Sequence, residues 1–216
     1  MKTDEDGNEM KYKARLVVKG FLQKAGVDFT ETFAPVARLP TIRLLLSLTS
    51  HFGFKIYHLD VTTAFLHGEL DKEIYMRPPE TVQIPDGHLL RLLKTMYGLK
   101  QSPRQWNLKF HRYVPTLGFI QSIADYCIYV RTCSKGVIIL LLYVDDILLC
   151  GDDKNEIAKV RNQLSFEYKM KDLEVVKGLN VTIDQESDTP RIDQSHYAEK
   201  FRQQLGTNRG RVSADN

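Results

Sequence analysis

Apolar and polar positions recur along this chain in two periods, and the switches between them mark its elements. From Thr41, the run TIRLLLSLTSHF puts Ile42, Leu45, Leu46 and Thr49 on one side at helical spacing. Pro40 stands just ahead, where a first helical turn has no hydrogen bond to lose, so a buried helix is predicted. The period then changes to two. Phe54, Ile56, His58 and Asp60 fall on one side, with Lys55, Tyr57, Leu59 and Val61 on the other. That alternation predicts a strand with Asp60 near its end. Earlier, YKARLVVKGF alternates Ala14, Leu16 and Val18 with the basic Lys13, Arg15 and Lys19, which predicts a strand with one charged face.

Past Gly98, Ser102, Pro103 and Gln105 read as a helix entrance, with serine as cap, proline in the first turn and glutamine completing a capping box. Trp106, Phe110, Tyr113 and Leu117 continue that helix on one face. Pro115 should end or kink it, because a proline inside a helix costs about 3 kcal/mol. CIYV and VIILLLYV, separated by RTCSKG, predict paired strands, and the second passes through Asp145 and Asp146 into ILLC as a tight acidic hairpin. Asp153, with Glu156 three residues on, opens a helix bearing Ile157, Val160 and Leu164. FEYKMKDL then alternates as a further strand. Strands and helices without a regular βαβ repeat point to an α+β fold, its antiparallel sheet packed on helices.

Composition narrows the function classes only a little. A chain of 216 residues, 43% hydrophobic, has room for one substantial core or two small lobes. Its net charge of +3 suits nucleic acid without requiring it. The basic residues gather near the start, at Lys11, Lys13, Arg15, Lys19 and Lys24, and again around Lys94, Lys100, Arg104, Lys109 and Arg112. These are two candidate backbone-contacting surfaces, or equally two ordinary solvated faces. The three cysteines carry no CxxC or Cys/His spacing, which argues against a disulfide framework or a zinc site and for a reducing, intracellular compartment. MKTDEDGNEM reads as a flexible lead-in over 1–10 with no apolar signal core. The apolar run Val137 to Cys150 is short and broken by two aspartates, so no membrane span is expected.

The acidic hairpin carries the most chemical information. Two adjacent carboxylates at the turn of a hydrophobic strand pair repel each other and lose solvation, which is tolerable if they stay in water or if a divalent cation lies between them. An exposed turn using aspartate for local hydrogen bonds fits the same letters. Asp60 adds a third carboxylate at the end of an apolar strand. Were the two strands neighbours, a site of hard oxygen ligands suited to Mg2+ would result.

Taken in order, YKARLVVKGF, ETFAPVARLPTIRLLLSL, LDVTTAFLHGELDKEIYM, MYGLKQSPRQW and LLLYVDDILLCG resemble the reverse transcriptase of copia-type retrotransposons, over roughly residues 11–172. The resemblance implies the fingers and palm of a right-hand polymerase. It also implies RNA- or DNA-templated nucleotidyl transfer from deoxynucleoside triphosphates onto a template-primer duplex, with two Mg2+ ions, or Mn2+ in their place. Position by position, Asp60 and Asp145 match the metal-binding acids, Asp146 the acid beside them, and Val61 a backbone carbonyl facing the metal. Phe65 matches the aromatic that closes against a ribose 2′-hydroxyl, though it reads equally as a core residue. Lys13 and Arg15 match the basic strand that grips the incoming triphosphate, where arginine's fork suits phosphate. Gly98, Gln101 and Arg104 match the segment facing the nascent base pair and template, though Gln101 and Arg104 read equally as capping and surface residues. Either Lys169 or Lys171 stands where a lysine assists pyrophosphate departure, or both are ordinary surface lysines.

The resemblance also sets the domain expectation, with fingers and palm over 11–180 and the start of a truncated thumb over 181–216. KDLEVVKGLNVTI is about two residues shorter than the family's usual segment before the thumb. Two further readings therefore stand beside the enzyme: a transposon remnant that keeps the fold, and a module that holds RNA–DNA duplex without turnover.

Overall fold

A computed structural model describes residues 14–80, 82–134 and 136–173, together with the strand backbones Val181–Ile183 and Pro190–Ile192. The expectations for the lead-in, for Lys13 and for most of the thumb segment fall outside these residues. In chain order the elements are helix α1 (Leu39–Phe52), strands β1 (Lys55–Val61), β2 (Tyr75–Met76) and β3 (Leu90–Arg91), helix α2 (Ser102–Tyr113), strands β4 (Ile120–Gln121), β5 (Ile128–Cys133), β6 (Gly136–Tyr143) and β7 (Asp146–Gly151), helix α3 (Lys154–Glu167), and strands β8 (Met170–Leu173), β9 (Val181–Ile183) and β10 (Pro190–Ile192). Two compact units result, Met1–Val36 with Thr62–Gln121, and Ala37–Val61 with Ser122–Asn216.

The second unit is built on an antiparallel sheet, in which its strands run β5-β6-β7-β1-β8. Helix α1 covers one face. Its stripe of Ile42, Leu45 and Leu46 packs with Leu141, Leu148 and Cys150 of β6 and β7, with Ile56 and Ile139 at the margin. Gly53, at φ 66°, ends the helix in the left-handed conformation, its N–H donating to the Thr49 carbonyl. Helix α3 lies on the opposite face, where Arg161 sits over the Tyr57 ring and Ile157 approaches Gly151. Asp153 caps it, its carboxylate accepting from the Asn155 and Glu156 N–H groups, as the sequence predicted. Ile147, Leu148 and Leu149 are fully buried because β7 is sandwiched on both faces. Each such side chain stabilises the fold by about 2 kcal/mol.

In the first unit, α2 buries Trp106 and Phe110 and passes at Val114 into a 3-10 turn holding Pro115, so the proline ends the α-helix without breaking a packed interior. Three expectations need correction. Residues 14–19 form no strand: they keep one sheet-like bond, Val18 N–H to the Tyr97 carbonyl at 2.8 Å, while Leu16 and Val17 stay more than half exposed. No capping box forms at α2, because Ser102 Oγ donates instead to the Met96 carbonyl and Gln105 is buried. FEYKMKDL is not one strand, since Phe166 and Glu167 belong to α3 and β8 begins at Met170.

Candidate active site at an acidic hairpin

Strands β6 and β7 are joined by a two-residue turn, Val144-Asp145, with Tyr143 opposite Asp146. Val144 has φ 59°. A left-handed first residue is the mark of a hairpin turn that normally takes glycine there, so a β-branched valine stores strain of about 1–3 kcal/mol. The turn must hold Asp145 at the tip against that cost, and the buried ladders on either side supply the restraint.

Strand β1 runs alongside β7 in a register that sets Asp60 directly opposite Asp146 and Lys55 opposite Gly151. Directly opposed residues have Cα atoms about 4.5–5.5 Å apart and project to the same face. The Val61 N–H donates to the Asp145 carbonyl at 2.8 Å, fastening the end of β1 to the turn. The backbone therefore brings Asp60, Asp145 and Asp146 together at one end of the sheet. On the other side of β1, Lys171 of β8 is Asp60's opposite partner. This register separates the two candidate lysines, for Lys169 precedes β8 and Lys171 lies in it.

The side chains do not converge as the backbone does. Among the described residues, no group of three His, Cys, Asp or Glu side chains is gathered closely enough to hold a metal ion. Asp146 turns its Oδ1 to His58 Nε2 at 2.6 Å, and that imidazole is only 1% exposed. Sequence reasoning passed over His58, although the period-two pattern had already set it on the face of Asp60. Hard carboxylate oxygens remain the donor type Mg2+ takes, so the donor chemistry at this end of the sheet fits such an ion even though a three-ligand cage is not preformed. Val61 itself is buried.

The remaining candidates lie in the first unit. Phe65 is half-buried in a 3-10 turn, Ala64–His67, entered through Thr63 at φ 57°. Its carbonyl accepts from Thr95 Oγ1, and its ring leans on Tyr97 at 4.9 Å. The exposed Arg15 sets its guanidinium 5.4 Å from the centre of the same Tyr97 ring. Gly98, at φ 97°, meets its own chain closely: a Cβ there would overlap the Val18 carbonyl oxygen. Gln101 is fully buried, its amide donating to the Asp28 carbonyl and its oxygen accepting from Gln23. Arg104 donates to the Phe33 carbonyl at 3.2 Å. These bonds occupy Gln101 and Arg104 inside the unit, and the segment they hold is the loop leading into α2.

Among the described residues no helix is long and apolar enough to cross a membrane. A family model described as reverse transcriptase (RNA-dependent DNA polymerase) matches residues 1–212. The chain is 43% identical over 206 residues to the retrovirus-related Pol polyprotein from transposon TNT 1-94 of Nicotiana tabacum, which covers 93% of this chain and 16% of that polyprotein. It is 38% identical over 175 residues to the Pol polyprotein from transposon RE1 of Arabidopsis thaliana, covering 80% of this chain and 12% of the relative. It is also 37% identical over 133 residues to the putative transposon Ty5-1 protein YCL074W of Saccharomyces cerevisiae, covering 60% and 43%. No solved structure matches. The chain thus spans about a sixth or less of the Pol polyproteins it matches. With a family model spanning nearly its whole length and transposon Pol polyproteins among its relatives, the chain belongs to the reverse transcriptase (RNA-dependent DNA polymerase) family, of the copia type.

Proposed function

We propose that this chain supplies the fingers and palm of a right-hand polymerase, the second unit being the palm, and that it extends a primer on an RNA or DNA template. The observation that carries the reading is the β1–β7 register, which seats Asp60 beside Asp146 at the foot of the acidic turn. Asp60 and Asp145 would hold the divalent ions, Mg2+ or Mn2+, with the Val61 carbonyl beside them. Bound there, the ions lower the cost of ionising the primer 3′-hydroxyl and of charge on the departing pyrophosphate. The chain's own residues supply the rest. Arg15, braced on Tyr97, offers a planar fork to the incoming triphosphate. Phe65, packed against the same ring, would close against a ribose 2′-hydroxyl. Lys171, opposite Asp60, is the better placed of the two lysines to meet the leaving pyrophosphate.

The deciding experiment is primer extension on an RNA template with and without Mg2+. Asp145→Asn should abolish extension while duplex affinity stays nearly intact. Equal loss of binding would make Asp145 a structural residue. Retained duplex binding by the native chain with no Mg2+-dependent extension would select the binding-module reading instead.

A further inference from the structure

His58 is a buried side chain that reaches into the acidic hairpin and has no part in the chemistry above. It stands opposite Leu148 on β7, so Asp146, two residues along that strand, is its diagonal neighbour on the same face. The imidazole is 1% exposed and its Nε2 lies 2.6 Å from Asp146 Oδ1, whose side chain keeps 19% exposure. A neutral imidazole protonated at Nε2 donates this bond without any change of charge. Its effect on the carboxylate is directional. One oxygen is committed to a rigid ring fixed in a packed strand, and the carboxylate can no longer swing as a free rotor toward Asp60.

Resting on the polymerase reading, we propose that His58 is a positioning residue for Asp146: it ties back Oδ1 so that Asp146 contributes at most one oxygen to the ions, leaving chelation to Asp60 and Asp145. The reason such a restraint matters is the crowding of carboxylates at the end of the sheet. A third carboxylate free to clamp with both oxygens would bind a cation more tightly and hold it in a less open geometry, which favours the ground state over the transition state. Misplacement of a reacting group by about 1 Å costs on the order of 100-fold in rate. The bland reading is that His58 merely satisfies its own buried nitrogen. Only the positioning role predicts tighter cation binding when the imidazole is removed.

The test uses Mn2+ as probe, with its binding to the full chain on template-primer followed by electron paramagnetic resonance beside the extension rate. His58→Leu should bind Mn2+ several-fold more tightly while extending roughly 10- to 100-fold more slowly. His58→Gln, whose amide nitrogen reaches the Nε2 position, should return both toward native values. His58→Asn, whose amide stops short at the Nδ1 position, should behave as the leucine variant does, and it carries the test if leucine costs the fold. Adding His58→Leu to Asp146→Asn should change neither quantity further. Unchanged or weaker Mn2+ binding in both His58→Leu and His58→Asn would overturn the proposal, and so would a glutamine variant no better than the asparagine one. Asp60→Asn separates the two levels: if it leaves Mn2+ affinity intact, the cation-site reading falls and the role of His58 with it. If it weakens binding while His58 variants do not tighten it, only the positioning role fails.

Discussion

Lys171 on β8 stands directly opposite Asp60 on β1, as Asp146 does from the other side. One carboxylate is thus flanked in the ladder by a like charge and by an opposite one. Lys171 is exposed, so its attraction to Asp60 is screened and contributes at most about 1 kcal/mol to stability. On the proposed polymerase reading, its role is to hold a cation beside the end of the strand where pyrophosphate would leave. Lys171→Ala should slow single-turnover primer extension by roughly 100-fold, the low end of general-acid assistance, with little change in the urea midpoint. Lys169→Ala should leave the rate within about twofold. Equal effects of the two substitutions would remove Lys171 from the site.

Phe65 and Arg15 share the Tyr97 ring, at 4.9 Å and 5.4 Å. Phe65→Val removes the ring edge while keeping an apolar side chain in the 3-10 turn, so ribonucleotides should be incorporated much more readily relative to deoxynucleotides. The check is the ratio of kcat/KM for the two substrates. An extending variant with native discrimination would return Phe65 to an ordinary packing role.

Gly98 is needed for backbone reasons. Its φ of 97° is outside the range an L side chain adopts comfortably, and an added methyl would collide with the Val18 carbonyl oxygen, which is main chain and cannot rotate away. Gly98→Ala should destabilise by about 2 kcal/mol or more, seen as a lower urea midpoint, before any effect on catalysis is considered. A midpoint matching the native chain would mean that the 17–18 segment detaches from the Tyr97–Gly98 turn at little cost.

Much of the second unit was legible in the sequence because its elements are periodic and deeply buried. The α1 stripe of Ile42, Leu45, Leu46 and Thr49 emerged as the buried face, and β1, β6 and β7 lie where the alternation and the apolar run put them. What periodicity cannot supply is a partner. The charged alternation at 14–19 reads as a strand, but no neighbouring strand among the described residues completes it. The Asp60–Asp146 register joins strands far apart in the chain, settled by long-range packing and not by local pattern. Ser102 failed as a cap for a local reason: its hydroxyl donates to the Met96 carbonyl, brought close by the turn at Gly98. His58 was visible as a member of the Asp60 face, yet only coordinates reveal that its nitrogen meets Asp146.

Acid stability should report on Asp125, which ties the start of α1 to the start of β5. Its Oδ2 accepts from Thr41 Oγ1 at 2.7 Å and from the Arg38 N–H at 3.3 Å, and its Oδ1 from the Cys127 N–H at 2.9 Å. Partial burial by itself would raise this carboxyl, but the bonds from Cys127, Thr41 and Arg38 act on the charged form and together hold it below the ordinary value. The sign follows from linkage. A group depressed on folding contributes its full stability above its unfolded value, about 3.9, and loses it as pH falls through the lower folded value. Asp125→Asn keeps the shape and removes the charge, so it should be less stable than the native chain by about 1 kcal/mol at pH 6. As pH falls below about 4 and through the lowered folded value, the two urea midpoints should draw together as the native carboxylate takes up its proton. Cys127 does not blur the comparison, because burial first and the Asp125 charge second push its thiol up to about 12, leaving it protonated throughout. A gap between native chain and variant that stays constant from pH 6 to the acid limit would mean the three bonds act through geometry alone, with no contribution from the charge they surround.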